Sequence, residues 1–257
     1  MADLNALAAD LASGAVEVID LTSPLESSTP ILELPPEFGQ TWHFELEEIS
    51  KYDDRGPAWY WNNIRTGEHT GTHFDAPVHW ITGRDLDDVS RVPVRNLIGP
   101  AMVIDKTAEA DKNPDYLLDV EDILQWEREN GALQDGGWLV YRTGWSSRGD
   151  DPVAFANADE SGPHTPGLTP AAARYLAEST NILGLGVETV GTDAGAAFGL
   201  EPPFPCHTMV LGANKYGLTQ LRNVDRLPRT GALLIAAPLP IVNGSGSPCR
   251  VLALVAR

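Results

Sequence analysis

The sequence predicts a single α/β domain spanning residues 1–257, on three observations. The chain has 257 residues and is 42% hydrophobic, enough to bury a sizeable core. Segments with strand character alternate irregularly with segments of helical spacing. No linker-like stretch or internal repeat divides them, so the loops between elements are left to carry the site.

The elements follow in chain order. Residues 1–16 read as an N-terminal helix, with Asp3 where a secretory signal would carry positive charge. Glu17 to Leu21 reads as a short strand leading into a Pro/Ser/Thr-rich loop over Thr22 to Pro36. Trp42 to Ile49 alternates in character and predicts a second strand, with a polar turn from Lys51 to Pro57 and then the unusual run Trp59-Tyr60-Trp61. Ala101 to Ile104 is a strand candidate. Asp119 to Asn130 carries Val120, Ile123, Leu124 and Trp126 at helical spacing and stops at Gly131. Trp138 to Tyr141 reads as a buried strand. Thr169-Pro170 opens a helix, a capping residue followed by proline at the first helical position, that runs to about Ser179. Ile182 to Val190, Ala232 to Ala237 and Val251 to Val255 supply the later strands.

Eighteen basic against 36 acidic residues give a net charge of −18. Such a surface opposes nucleic acid and anionic membrane as partners. No apolar run reaches the roughly 20 residues of a membrane-spanning helix. The expectation is a soluble, cytoplasmic protein whose acidity serves solubility or salt adaptation. Cys206 and Cys249 are too few for a disulfide framework and lack zinc-site spacing, and a single bridge between them is not required.

Three of the six histidines fall in one eleven-residue stretch, His69-Thr-Gly-Thr-His73-Phe-Asp75-Ala-Pro-Val-His79. Gly71 and Pro77 argue against a continuous helix. In an extended segment, His69, His73, Asp75 and His79 share one face, while Thr70, Thr72, Phe74, Ala76 and Val78 pack inward. Gly71 then leaves room for a ligand between the flanking imidazoles. Any one of these histidines alone is more often a satisfied core or surface residue. Four ligand-type side chains on one face make a metal site of imidazole nitrogen and carboxylate oxygen the stronger reading. Without a thiolate, Zn²⁺ and Mn²⁺ are both compatible, and a closed structural zinc site is disfavoured.

Other motifs fail on inspection. Gly184-Leu-Gly186-Val-Glu-Thr189 breaks the dinucleotide fingerprint at its third glycine, and no Gly-Lys-Ser/Thr phosphate loop occurs. Gly144-Trp-Ser-Ser-Arg-Gly149 misses the nucleophile-elbow spacing by one residue. Cys206 reads as a small packed hydrophobe rather than a nucleophile.

The pattern His-x-Gly-Thr-His-x-Asp-x-Pro-x-His, matched at every fixed position by residues 69–79, resembles the metal-dependent cyclase family that includes bacterial kynurenine formamidases and isatin hydrolases. The likeness extends through Asp20-Leu-Thr, Pro166-Gly-Leu-Thr-Pro170, Gly191-Thr-Asp193, His207, Asn223-Val-Asp-Arg-Leu-Pro228 and Gly244-Ser-Gly-Ser-Pro248-Cys-Arg250. The resemblance implies a swivelling β/β/α cyclase-like fold with a mixed sheet, a homodimer or larger homo-oligomer, and hydrolysis of an amide C–N bond.

Carried over residue by residue, the resemblance makes His73 and Asp75 metal ligands, His69 a ligand or near-ligand, and His79 the acid/base. Where two-metal members place a bridging glutamate, this chain has Thr219, with Gln220 beside it. A neutral threonine cannot bridge two cations. One divalent metal is therefore expected, Mn²⁺ favoured over Zn²⁺ by the resemblance, with Gln220 a candidate oxygen ligand, His207 left for substrate or a contact behind the ligands, and the third protein ligand open between Gln220, His69 and His207. This arrangement, the segment Glu201 to Pro205 and the aromatic run Trp59 to Trp61 are closer to the isatin-hydrolase branch than to the shorter formamidases.

The implied reaction is metal-assisted attack of water on a lactam carbonyl, His79 moving a proton at an ordinary histidine pKa of about 6.5. Trp59, Trp61 and Trp80 are candidates to stack a small planar aromatic substrate, Trp59 and Trp61 ahead of Trp80, whose parity points it away from the histidines. Asp193 either orients an imidazole or caps the turn after it. The alternatives are an arylformamidase acting on N-formyl amines and a metal-bearing binding protein without turnover.

Overall fold

The computed structural model of the protein describes residues 3–257. Its first helix, α1 (Leu4–Ser13), starts where Asp3 accepts hydrogen bonds from the backbone N–H groups of Asn5 and Ala6, and stops at Gly14, whose φ of +77° suits glycine. The expected N-terminal helix is therefore present but shorter, and Met1 and Ala2 lie outside the described residues. No α1 residue is buried, so the helix rides on the surface.

The strands longer than two residues are β1 (Val16–Asp20), β2 (Glu45–Asp53), β3 (Gly56–Arg65), β4 (His73–Asp75), β5 (Ile98–Asp105), β6 (Trp138–Arg142), β7 (Gly184–Val187), β8 (Tyr216–Thr219), β9 (Ala232–Pro238) and β10 (Gly246–Ala256). The expected turn over Lys51 to Pro57 shrinks to Asp54-Arg55. Asp53 Oδ1 accepts the Arg55 backbone N–H at 3.0 Å, and Arg55 also pairs with Glu48, so the chain reverses tightly and both flanks extend into strands. The resulting β2–β3 hairpin pairs only with itself. Two further helices, α2 (Val120–Asn130) and α3 (Pro170–Glu178), match expectation because their ends are locally encoded. Asp119 and Asp122 form a capping box on α2, and the Thr169 hydroxyl accepts the Ala172 N–H at 3.1 Å on α3.

The main sheet runs β1-β10-β9-β5-β6-β7-β8-β4, parallel from β5 to β8 and antiparallel elsewhere. Short β4 also pairs with the start of β10, which closes the sheet on itself and leaves β1 outside the ring. The mixed α/β fold is the expected class, and its sheet closes like a barrel. Strand alternation divides the core in two. Ala101, Val103, Trp138 and Val140 join Phe74 and Leu218 in one cluster, whereas Met102, Ile104, Leu139 and Tyr141 face Ile123, Trp126, Ala172 and Leu176 of the helices. Strand β8, not foreseen, is the element that brings Thr219 to β4. It is only four residues long and is bounded by Asn214 and Gln220, both at positive φ.

Candidate active site

The segment from His69 to His79 is not one strand. Gly71 turns it at φ +63°, only His73–Asp75 is extended, and Pro77–His79 is a 3₁₀ turn opened by proline. The expected convergence nevertheless occurs: ligating atoms of His69, Asp75 and His79 lie within 4.8 Å of one another. His69 Nδ1 is 2.7 Å from Asp75 Oδ1, and the His69 and His79 rings stack at 3.9 Å between centroids. Thr70, Thr72, Phe74 and Ala76 are buried as expected, and Val78 is half-buried. Gly71 makes no room for a ligand. A Cβ there would sit 2.5 Å from Leu25 Cδ2, so its close packing is against the preceding loop.

Asp75 lies in a slot between β8 and β10, opposite Gly217 on one side and Gly246 on the other. A Cβ on Gly217 would come within 2.7 Å of Asp75 Oδ2, and one on Gly246 within 2.6 Å of His69 Cε1. Both glycines are thus required by the site, and neither has a local sequence signal. Burial alone would raise the Asp75 carboxyl pKa, but His73 and His69 outweigh it and hold the group well below the usual range, so Asp75 is a buried anion.

His73 is buried beneath this pair. Its Nδ1 is 2.7 Å from the Gly71 carbonyl, which takes its proton and leaves Nε2, 3.3 Å from Asp75 Oδ1, with a free lone pair. Thr219 Oγ1 lies 3.1 Å from the same Nε2. The adjacent Gln220 is buried at φ +51°, its amide donating to the Pro30 carbonyl at 3.0 Å.

A second wall comes from distant sequence. Asp193 accepts the backbone N–H groups of Cys206 and His207 at 2.7 and 3.0 Å, capping the π-helical turn Cys206–Val210, and also holds His207 Nδ1 at 2.5 Å. The imidazole it orients is His207, and the turn it caps is thirteen residues on rather than the one directly after it. Burial disfavours a charged His207, but Asp193 outweighs that and raises its pKa. The His207 ring lies 5.5 Å from that of His79 and 4.7 Å from that of Trp80.

Trp80 is the clearest departure from parity. Because the strand ends at Asp75 and a 3₁₀ turn follows, Trp80 swings to the histidine side, packs against Phe204 at 5.5 Å and donates Nε1–H to Thr208 at 3.2 Å. Trp59 and Trp61 do not join it. They lie about half-exposed on β3, and among the described residues neither ring contacts a site imidazole. Cys206 and Cys249 are buried free thiols, and burial holds the Cys206 thiol protonated.

No hydrogen bond engages the His79 ring among the described residues. Burial first, then the neighbouring His69, His207 and His73, lower its pKa to about 3 despite the opposing pull of Asp75. The resting imidazole is therefore neutral at pH 7, with a lone pair able to accept a proton. A buried carboxylate beside several imidazoles, with no thiolate, is a donor set that fits a divalent cation of intermediate softness.

A closed mixed sheet with an imidazole–carboxylate centre at its β4 seam describes a class of metal-site hydrolases. The chain belongs to the Cyclase family, whose model, described as putative cyclase, matches residues 19–194. It is 51% identical over 255 residues to isatin hydrolase of Roseibium aggregatum, covering 98% of this chain and 97% of that one. A crystal structure of an isatin hydrolase bound to the product analogue thioisatinate superposes with a TM-score of 0.97 at 50% identity, over 99% of this chain and 98% of that chain. Kynurenine formamidase of Polaromonas naphthalenivorans is 26% identical over 244 residues, 94% of this chain and 92% of its own.

Proposed function

We propose that this chain is a metal-dependent hydrolase that opens the cyclic amide of isatin or a close planar relative, giving isatinate. One observation carries the reading: His69, Asp75 and His79 converge in a chain half identical to isatin hydrolase along nearly its whole length.

His69, His73 and Asp75 would hold a single divalent cation, Mn²⁺ ahead of Zn²⁺, with the Gln220 amide oxygen as a further ligand. When bound, the cation polarises the amide carbonyl and acidifies water at the site. His79, neutral and free of partners, takes the proton of the water that adds to the carbonyl carbon. As the C–N bond breaks, the same imidazole returns that proton to the ring nitrogen, so hydroxyl ends on carbon and hydrogen on nitrogen. Trp80, Phe204 and His207 form the wall against which a planar ring stacks, and Asp193 holds the His207 imidazole in place.

Incubation with Mn²⁺ and either isatin or N-formylkynurenine, followed by absorbance, tests the assignment. Isatin is expected to be consumed faster. Preferential loss of N-formylkynurenine would make the chain an arylformamidase, and loss of neither would leave a binding protein.

The same reading makes the enzyme cytoplasmic and a homodimer or larger homo-oligomer. The dimer is supported by the β2–β3 hairpin, which exposes Leu46, Trp59, Tyr60, Trp61 and Ile64 together. Light scattering on the purified chain checks the dimer, and a monomer would remove it.

A further inference from the structure

The Gly244-Ser-Gly-Ser-Pro248 run has no role in the mechanism above, yet it touches the site residue by residue. A Cβ on Gly244 would lie 2.9 Å from Glu68 Oε1, and one on Gly246 would collide with His69, so the loop is pressed against Glu68-His69. The Ser245 carbonyl accepts the Ala76 N–H at 2.9 Å, tying the same loop to the end of β4. Between the two glycines, Ser245 Oγ lies 2.8 Å from His69 Nε2 and 2.6 Å from Glu68 Oε2, and Glu68 Oε2 also takes the Ser245 backbone N–H at 3.1 Å.

Glu68 Oε2 accepts both the Ser245 backbone N–H and the Ser245 hydroxyl, so the hydroxyl proton goes to Glu68. The Ser245 oxygen is then left to accept from His69 Nε2–H, 2.8 Å away. That directs Nδ1 to Asp75 Oδ1, 2.7 Å away.

We propose that Glu68 and Ser245 are positioning residues that pin the His69 proton on Nε2 and aim Nδ1, beside Asp75, at the cation. The inference rests on the metal-site reading above. It assigns to His69 the kind of outer hydrogen bond that metal-ligating histidines use to fix tautomer and ring angle, relayed here through a hydroxyl. His207 receives the same service from Asp193 directly.

The test is Mn²⁺ binding by titration calorimetry to the whole chain, with no substrate present. Ser245→Ala is expected to weaken Mn²⁺ affinity about 10–100-fold. Ser245→Thr, which keeps the hydroxyl, is expected to restore affinity close to the parent's. Glu68→Ala is expected to fall between them, and it carries the test if Ser245→Ala does not fold. Unchanged affinity in both Ser245→Ala and Glu68→Ala overturns the relay. Equal losses in the Ala and Thr variants also overturn it, because loop packing rather than the hydroxyl would then be responsible. A parent chain that takes up neither Mn²⁺ nor Zn²⁺ sinks the metal reading itself, and this inference with it.

Discussion

His69 and His164 each hold a carboxylate oxygen 2.7 Å from Nδ1, Asp75 in one case and Asp115 in the other, and both place a serine hydroxyl on Nε2. By pair geometry they are the same motif. They differ in what surrounds them. Asp75 is sealed between two strands with His73 and His79 converging on it, whereas the side chains of Asp115 and Asp159 are 39% and 65% exposed and hold His164 at the surface. Two acidic partners, Asp115 first, raise the His164 pKa and make it an ion-pair staple between the loop at Asp115 and the Asp159–Ser161 turn. Convergence and the exclusion of water turn the first pair into a candidate reactive centre.

That contrast can be broken most severely at the carboxylates. Asp75→Asn is expected to lower isatin turnover at least about 10³-fold, as for a member of a catalytic unit, and to abolish Mn²⁺ uptake measured by elemental analysis. Asp115→Asn is expected to leave both unchanged. If the two variants behave alike, burial is not what separates the sites.

His79→Ala is expected to cost about 10²–10⁴ in turnover while the chain retains its metal. Because the His79 pKa lies near 3, the base is deprotonated through the neutral range and is lost only as pH falls toward that value. The pH–rate profile is therefore expected to show no acid limb from this group near pH 6.5. A limb there that vanishes in His79→Ala would show that the imidazole titrates as an ordinary, solvated one.

A smaller effect is expected at the aromatic wall. Trp80→Ala should raise KM about tenfold, on the order of 1.4 kcal/mol of lost stacking, with a lesser change in kcat. Trp59→Ala should leave the kinetics of a single subunit's site alone, and a matching rise in KM would mean that this ring reaches a site after all.

The mildest expectation concerns the staple. A histidine whose folded pKa is raised contributes stability in full below its unfolded pKa, about 6.5, and loses that contribution as pH rises through the folded value. His164→Gln should flatten this part of the melting temperature's pH dependence, read by circular dichroism, without touching turnover.

The sequence disclosed this site unevenly, for physical reasons that specific residues illustrate. Thr169 caps its helix as read because a cap is a contact within three residues. The inward packing of Thr70, Thr72, Phe74 and Ala76 was legible even though the segment is broken by Gly71 and a 3₁₀ turn. Trp80 was misread because parity assumes a strand that ends five residues earlier. Trp59 and Trp61 lie away from the histidines within one chain because β3 pairs only with β2. Gly217, Gly246 and Ser245 gave no signal of their roles, since each acts on a residue more than 140 positions away.

By itself, then, the amino-acid order determined the donor types: imidazoles and one carboxylate within eleven residues, with no thiolate nearby, on a chain able to form strands and capped helices. Only the tertiary structure decided which of them meet, which are stripped of water and which ring nitrogen faces the carboxylate. Those properties arise when β4 is clasped between β8 and β10. Long-range strand pairing there supplies the burial and fixed hydrogen bonds that no local stretch of chain can hold against solvent.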